Sequence, residues 1–344
     1  MNKHANINAA EIKGVVTCLP NTKISNSFFE NFLTKDEINS VEKISGVKTR
    51  YWVENESGVD LCVEAGKNLM ISLGWRSSDV DAVIYVTQSP DYILPASAIK
   101  IAGKLNLDPG YIAYDVNLGC SGYPYGLFLA ETMIASGIAT KVLLFAGETT
   151  SKIIDKKEKS TALIFGDAGS ATALELSEES SSLYLLGSDA SGEKNLIVPA
   201  SRFCHNIMEF DSRMSERNPS YIYMDGAEVF NFTLKTVPTL VNDAKNLSNQ
   251  GIDYYLFHQA NKFMLDYLIK KMKIDPLLAP INIESYGNTS SASIPLLMTT
   301  SLNKTIKNND ITKLGLFGFG VGYSWSACVK GVKRDIILNN IFLP

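Results

Sequence analysis

The chain has 344 residues, 45% hydrophobic and 20% charged, the balance of a globular protein large enough for two domains or one duplicated one. With 36 acidic against 32 basic residues the formal charge is -4, which argues against the basic surface that a nucleic-acid partner requires. No apolar stretch approaches the ~18 residues of a membrane span, and the opening MNKHANINAAEIKG lacks the apolar core of a signal peptide, so a cytoplasmic protein with no membrane partner is expected.

In chain order, DAVIYVTQ (81–88) is a short run rich in Val and Ile and reads as a buried strand. ILPASAIKIAGKLNL supplies a loop and a helix, and YIAYDVN (111–117) is a second strand with Ile112, Tyr114 and Val116 on one face. A helix over about 121–136 and a strand at KVLLFAG (141–147) follow. The second half repeats this order. DYYLFHQ (253–259) is strand-like, and NKFMLDYLIKKMKI is helix-like, with Phe263, Leu265, Leu268 and Ile269 on its apolar face. INIES (281–285) reads as a strand, GNTSSASIPLLMTTSL as a turn and helix, and KLGLFGFG (313–320) as the last strand.

Local wording supports a duplication. KLNLDP (104–109) and KMKIDP (271–276) lie 167 residues apart, close to half the chain. Two similar halves are expected, 1–180 and 181–344, packed about a pseudo-twofold axis rather than as a solenoid of short repeats. Strands alternating with helices imply mainly parallel sheets covered by helices, with ligands beyond the carboxyl ends of the strands. Cys120, His258 and Asn288 all fall at or just after such ends, and they come from both halves.

Five cysteines (18, 62, 120, 204 and 328) are scattered, with no CxxC pair, so neither a disulfide framework nor a metal site is expected. Histidine chemistry has three candidates, His4, His205 and His258. A cysteine is most often a small buried apolar residue. Cys120, however, stands between Gly119 and Ser121-Gly122, where a sharp turn feeds a helix whose N-terminus would favour the thiolate. A lone His ending an apolar strand is commonly structural, and Asn288 in YGNTSSAS suits a turn or a cap equally well. Together the three could form a thioester-handling site.

At these motifs the sequence resembles the β-ketoacyl-acyl carrier protein synthase III family of the thiolase superfamily. The resemblance runs nearly the length of the chain, through SGVKTR (45–50), GCSGYPYGL around Cys120, IFGDAGSA (164–171), MDGAEVFNF (224–232), HQAN (258–261), GNTSSASIP (287–295) and GFGVGYSW (318–325). It implies an α/β fold, a thiolase-like five-layer αβαβα sandwich of two duplicated halves, and a homodimer. The implied chemistry begins with acyl transfer to Cys120. A decarboxylative Claisen condensation with malonyl-acyl carrier protein follows. In it His258 and Asn288 donate to the enolate oxygen, and the backbone N–H groups of Cys120 and Val321 form a second oxyanion hole. The substrates would be phosphopantetheine thioesters on acyl carrier protein or coenzyme A, with no metal or redox cofactor. The implied substrate-binding positions are Leu94, Lys159, Gly226, Phe230 and Asn261.

The chain also departs from the family pattern. Ser40 and Ile44 stand where a Trp and an Arg are expected to stack the adenine of coenzyme A, and whether Trp52 takes that place is left open. Val321 replaces the middle of three glycines, and Ala227 replaces an Asn of the pantetheine tunnel. Lys156, Lys157 and Lys159 with Lys262, Lys270 and Lys271 would give a basic mouth for an acidic carrier, although such runs are commonly just solvated surface. The alternative function is a non-condensing acyltransferase that moves the acyl group from Cys120 to an alcohol or amine. A catalytically silent carrier-binding scaffold is the reading of a different class.

Overall fold

The structure is a computed structural model that describes residues 2–200, 214, 217–248, 251–306 and 308–344. Cys204 and His205 lie outside the described residues. Fifteen strands are described: β1 Lys3–Ile7, β2 Ala10–Leu19, β3 Thr22–Ser25, β4 Thr49–Trp52, β5 Ala82–Val86, β6 Ile112–Val116, β7 Lys141–Glu148, β8 Ala168–Leu176, β9 Ser182–Ser188, β10 Leu196–Ile197, β11 Tyr223–Met224, β12 Tyr254–Phe257, β13 Ile311–Gly320, β14 Ser324–Lys333 and β15 Ile337–Phe342. The helices are α1 Lys35–Ser45, α2 Gly58–Leu73, α3 Ser97–Lys104, α4 Gly122–Ala135, α5 Lys159–Ala162, α6 Gly226–Leu247, α7 Lys262–Lys271, α8 Ile283–Tyr286, α9 Ser293–Ser301 and α10 Asn303–Ile306.

Two sheets carry the fold, in the orders β15-β2-β8-β7-β5-β6 and β1-β9-β14-β13-β12. Their central strands correspond one to one. β5 runs parallel to β7 as β12 does to β13, and β7 runs antiparallel to β8 as β13 does to β14. β2 then closes antiparallel on β8 as β9 does on β14. At the edges the halves cross over: β15, from the end of the chain, pairs with β2, while β1, from its start, pairs with β9.

The near-continuous Val/Ile/Leu runs of the strands follow from burial on both faces. Ala82, Ile84 and Val86 of β5 and Leu314 and Leu316 of β13 face the layer between the sheets, which α4 and α9 fill with Tyr123, Leu127, Ile134, Ile294 and Leu297. The alternate residues point outward. Val83 and Tyr85 pack against α2 and α3, and Phe257, Phe317 and Phe319 pack against α6 and α7. The layers are therefore helix, sheet, helix, sheet, helix, the expected five-layer αβαβα sandwich. The central layer also holds an ion pair that spans both sheets. Lys330 Nζ of β14 donates to Glu131 Oε1 of α4 at 2.7 Å and to the Ala10 carbonyl of β2 at 2.6 Å.

The sheets are mixed rather than mainly parallel as expected, with four parallel and five antiparallel pairs, and two elements also differ from the sequence reading. INIES is not a strand: its last residues begin the short helix α8. Asn282 is held by side chains, its N–H donating to Gln259 Oε1 and its Nδ2 to Thr300 Oγ1, so its segment is tied down without strand pairing. In α7, Phe263 does not join the apolar face. Met264, Leu265, Leu268 and Ile269 are buried, whereas Phe263 is 55% exposed and stacks on Phe230.

Candidate active site

Cys120 lies in the turn between β6 and α4, where the Gly122 N–H donates to the Gly119 carbonyl at 2.7 Å. The turn is pinned to β14, since Ser121 and Ser324 hydroxyls bond at 2.6 Å and Ser326 Oγ donates to the Ser121 carbonyl. Gly320, the last residue of β13, comes so close that a Cβ there would sit 2.7 Å from Cys120 Cβ and 3.2 Å from its Sγ. The glycine is required by that approach, which brings the second half of the chain onto the thiol.

His258 follows β12, and its N–H donates to the Phe317 carbonyl of β13 at 2.8 Å. Its ring stands edge-on to Phe319, and Nδ1 bonds Ser293 Oγ at 2.8 Å. Burial holds the imidazole neutral, lowering its pKa to about 3. Ser293 has one hydroxyl proton and two acceptors in reach, His258 Nδ1 and the Ser290 carbonyl at 2.8 Å. When that proton goes to Nδ1, the imidazole carries its own on Nε2 and becomes a donor there.

Asn288 is held by its backbone across Phe165 in the IFGD stretch: its N–H donates to the Ile164 carbonyl, and its carbonyl accepts from Gly166. Its Oδ1 accepts the Ser290 N–H at 2.9 Å, which commits the oxygen and leaves the Nδ2 amide protons as donors. Ser290 also turns its hydroxyl to Cys120, with Oγ 3.8 Å from Sγ. The three residues singled out from sequence are thus brought together around one serine turn, Cys120 from the end of β6, His258 from the end of β12 and Asn288 from the end of the short helix α8.

The expected thiolate is not the resting state. Burial pushes the Cys120 thiol up to about 12, with the Ser290 hydroxyl opposing and the charge of Glu148 adding to the rise. Cys120 is only 7% exposed, and this loss of hydration is the largest influence on its thiol. Glu148, ending β7, was not singled out from sequence. Burial raises it to about 7 against hydrogen bonds from Ser89, Gln88, Thr87 and Ser291. Its signal was available: it is an ionisable residue closing an apolar strand, as His258 does. Ser290 and Ser293 gave no such signal, because only the folded turn decides which hydroxyl faces which side chain.

The remaining expected positions lie further out. Val321 directly follows Gly320, and its carbonyl accepts from Ser324 Oγ at 2.7 Å. Leu94 is 78% exposed in the loop before α3, beside the exposed Tyr92 and Ile93. Gly226 opens α6 with nothing within 4 Å of a Cβ built on it. Phe230 stacks on Phe263 at a centroid distance of 5.9 Å. Asn261 caps α7, its side chain accepting from the Met264 N–H at 2.7 Å. Lys159 pairs with Glu37 of α1 at 3.4 Å, and Lys262 packs against Gly46, which ends the same helix, so one lysine from each group flanks α1. Trp52 cannot supply an exposed stacking face: it is buried against Phe28 and Phe29, with Nε1 donating to the Phe165 carbonyl. Among the described residues no group of three or more His, Cys, Asp or Glu could hold a metal ion, and no helix is long and apolar enough to cross a membrane.

Two family models match the chain: 3-oxoacyl-[acyl-carrier-protein] synthase III over residues 114–192, and the C-terminal part of the same enzyme over residues 243–331. A β-ketoacyl-[acyl-carrier-protein] synthase III of Streptococcus pneumoniae is 31% identical over 326 residues, which cover 93% of this chain and 98% of that one. Among solved structures, a 3-oxoacyl-(acyl-carrier protein) synthase from Burkholderia xenovorans LB400 is 42% identical, with a TM-score of 0.96 and 99% of both chains covered. A 3-oxoacyl-(acyl carrier protein) synthase III from Pseudomonas aeruginosa PAO1 is 27% identical, with a TM-score of 0.82 over 94% of this chain and 98% of that one.

Proposed function

The chain belongs to the 3-oxoacyl-[acyl-carrier-protein] synthase III family of condensing acyltransferases, and from that membership we propose a two-stage reaction carried by Cys120, His258 and Asn288. Cys120 attacks the carbonyl of an acyl thioester and the donor thiol departs, leaving an acyl-enzyme. Malonyl-acyl carrier protein then enters and loses carbon dioxide. The enolate oxygen that forms receives hydrogen bonds from His258 Nε2 and Asn288 Nδ2. Its carbon attacks the acyl carbonyl, the oxyanion is held by the backbone N–H groups of Cys120 and Val321, and collapse expels the Cys120 thiolate, which takes a proton from solvent as the 3-oxoacyl product leaves.

The observation that carries this reading is the shared anchor at Ser290, whose N–H orients Asn288 and whose hydroxyl meets Cys120, beside Ser293, whose Oγ holds His258 Nδ1. A neutral His258 with Nδ1 engaged suits a hydrogen-bond donor to an enolate better than a general base. The same reading gives residues 1–180 the nucleophile and 181–344 the two donors. It takes phosphopantetheine thioesters as substrates without a further cofactor, and acyl carrier protein as partner at the lysines flanking α1. Leu94, Lys159, Gly226, Phe230 and Asn261 line the substrate path in it. It also pairs two copies through the exposed Tyr92–Leu94 loop in the cytoplasm, which would carry Leu94 to the neighbouring acyl pocket.

The test is to incubate the protein with a panel of acyl thioesters, map the adduct by peptide mass and follow carbon dioxide release from malonyl-acyl carrier protein. An adduct on Cys120 that is lost in Cys120→Ala, followed by carbon dioxide release, is expected. An adduct that persists elsewhere in that variant would overturn the assignment, and acyl transfer to alcohols or amines without decarboxylation would favour the non-condensing alternative.

A further inference from the structure

Ser290 has a left-handed backbone, φ 49°, a conformation that glycine adopts freely and serine does not. A non-glycine residue held there is a reason to look for a use of its side chain. That side chain is buried, with Oγ 3.8 Å from Cys120 Sγ. Space for the hydroxyl is kept by Gly119 on the other side, where a Cβ would come within 3.0 Å of Oγ. His258 is committed to Ser293 and neutral, so no imidazolium stands ready to pair with a thiolate.

We propose that Ser290 is a catalytic residue of acyl loading, its hydroxyl donating a hydrogen bond to the Cys120 sulfur as negative charge builds there. The proposal rests on the reading of Cys120 as nucleophile. In the step, the Cys120 S–H bond breaks, a bond forms between Sγ and the acyl carbon, and the bond to the donor sulfur breaks. The thiol proton ends on the departing thiol, and Ser290 keeps its own proton throughout. Burial is the main influence opposing the thiolate, and the charge of Glu148 adds to it. Ser290 is thus the neighbouring side chain that works for the charged form.

The experiment separates the hydroxyl from the backbone. Ser290→Gly removes the hydroxyl and relieves the left-handed residue, whereas Ser290→Ala removes the hydroxyl and keeps the strain. Alkylation of Cys120 by iodoacetamide at pH 8, followed by peptide mass, reports the thiolate without any acyl donor. Loss of a hydrogen bond to the charged sulfur should lower the thiolate fraction about tenfold or more. The higher intrinsic nucleophilicity of a more basic thiolate offsets part of this, so the alkylation rate should fall about threefold or more in both variants. Loading from an acyl-N-acetylcysteamine should fall with it, while the thermal midpoint of Ser290→Gly stays at or above that of the parent. Wild-type alkylation in Ser290→Gly, whatever Ser290→Ala does, would overturn the proposal. Because alkylation needs no substrate, it is independent of the functional reading, which acyl mass mapped to a residue other than Cys120 after incubation with the N-acetylcysteamine donor would refute separately.

Discussion

Asn288→Ala offers a clean division between the two half-reactions. The carboxamide has two tasks: Oδ1 accepts the Ser290 N–H at 2.9 Å, and Nδ2 is the proposed donor to the enolate oxygen. Losing one such donor costs about 2.7–4 kcal/mol in the chemical step, or roughly 10²–10³ in rate. Losing the acceptor leaves the Ser290 N–H unpaired in a site where Ser290 is only 7% exposed, at about 1–3 kcal/mol of stability. Acyl loading should be largely spared, because the side-chain hydrogen bond to Cys120 Sγ comes from Ser290 and not from Asn288. The assay measures carbon dioxide release from malonyl-acyl carrier protein on pre-acylated enzyme, and separately the rate at which Cys120 gains acyl mass. A thermal melt sizes the structural loss. Equal falls in both half-reactions, or decarboxylation within about threefold of the parent, would refute the reasoning.

The donor preference and the acid response can be checked alongside. Ser40 is exposed with Oγ bonded to the Glu37 carbonyl, and Ile44 is exposed, so the expected adenine stack is missing. A stacking deficit of about 1–3 kcal/mol predicts that one acyl group loads roughly 5- to 150-fold better from a carrier protein than from coenzyme A; faster loading from coenzyme A would mean that another side chain supplies the face. His258 titrates near 3 in the folded chain, so any inflection in carbon dioxide release between pH 5.5 and 8.5 should come from Glu148, at about 7, and vanish in Glu148→Gln. For stability the sign is that of a base with a lowered pKa: the unfolded chain takes up a proton that the folded one refuses, so stability is lost as pH falls from 6.5 towards 3. At pH 5 this group's share is about 2 kcal/mol, read as a urea-midpoint difference between pH 7 and pH 5 that shrinks in His258→Gln.

The sandwich was legible because double burial writes itself into strands such as AVIYV and KVLLFAG, and because the two halves repeat their order of elements. Cys120 and His258 were legible because each closes a strand within a specific motif, whereas Asn288 was found by its motif alone, since the strand expected before it is the helix α8. What was missed depended on partners distant in sequence. Ile281 and Ile283 alternate like a strand, yet Asn282 is captured by Gln259 and Thr300. Phe263 fits a helical stripe, but it lies over Phe230 on the surface. A helix N-terminus argues for a thiolate, but burial argues against it, and the hydration left at Cys120 is a property of the packed site. The uses of Ser290 required its backbone angle, which no residue pattern around it announces.

The crossed edges, β1 on β9 and β15 on β2, have a consequence for how the molecule is made. A ribosome delivers β1 long before its sheet exists, and the sheet of the first half waits for β15, Ile337–Phe342, which follows every other described strand. Until β15 is made, β2 presents an open row of backbone donors and acceptors to other nascent chains. Trimming either end therefore damages the opposite half, and neither half expressed alone would carry a complete sheet.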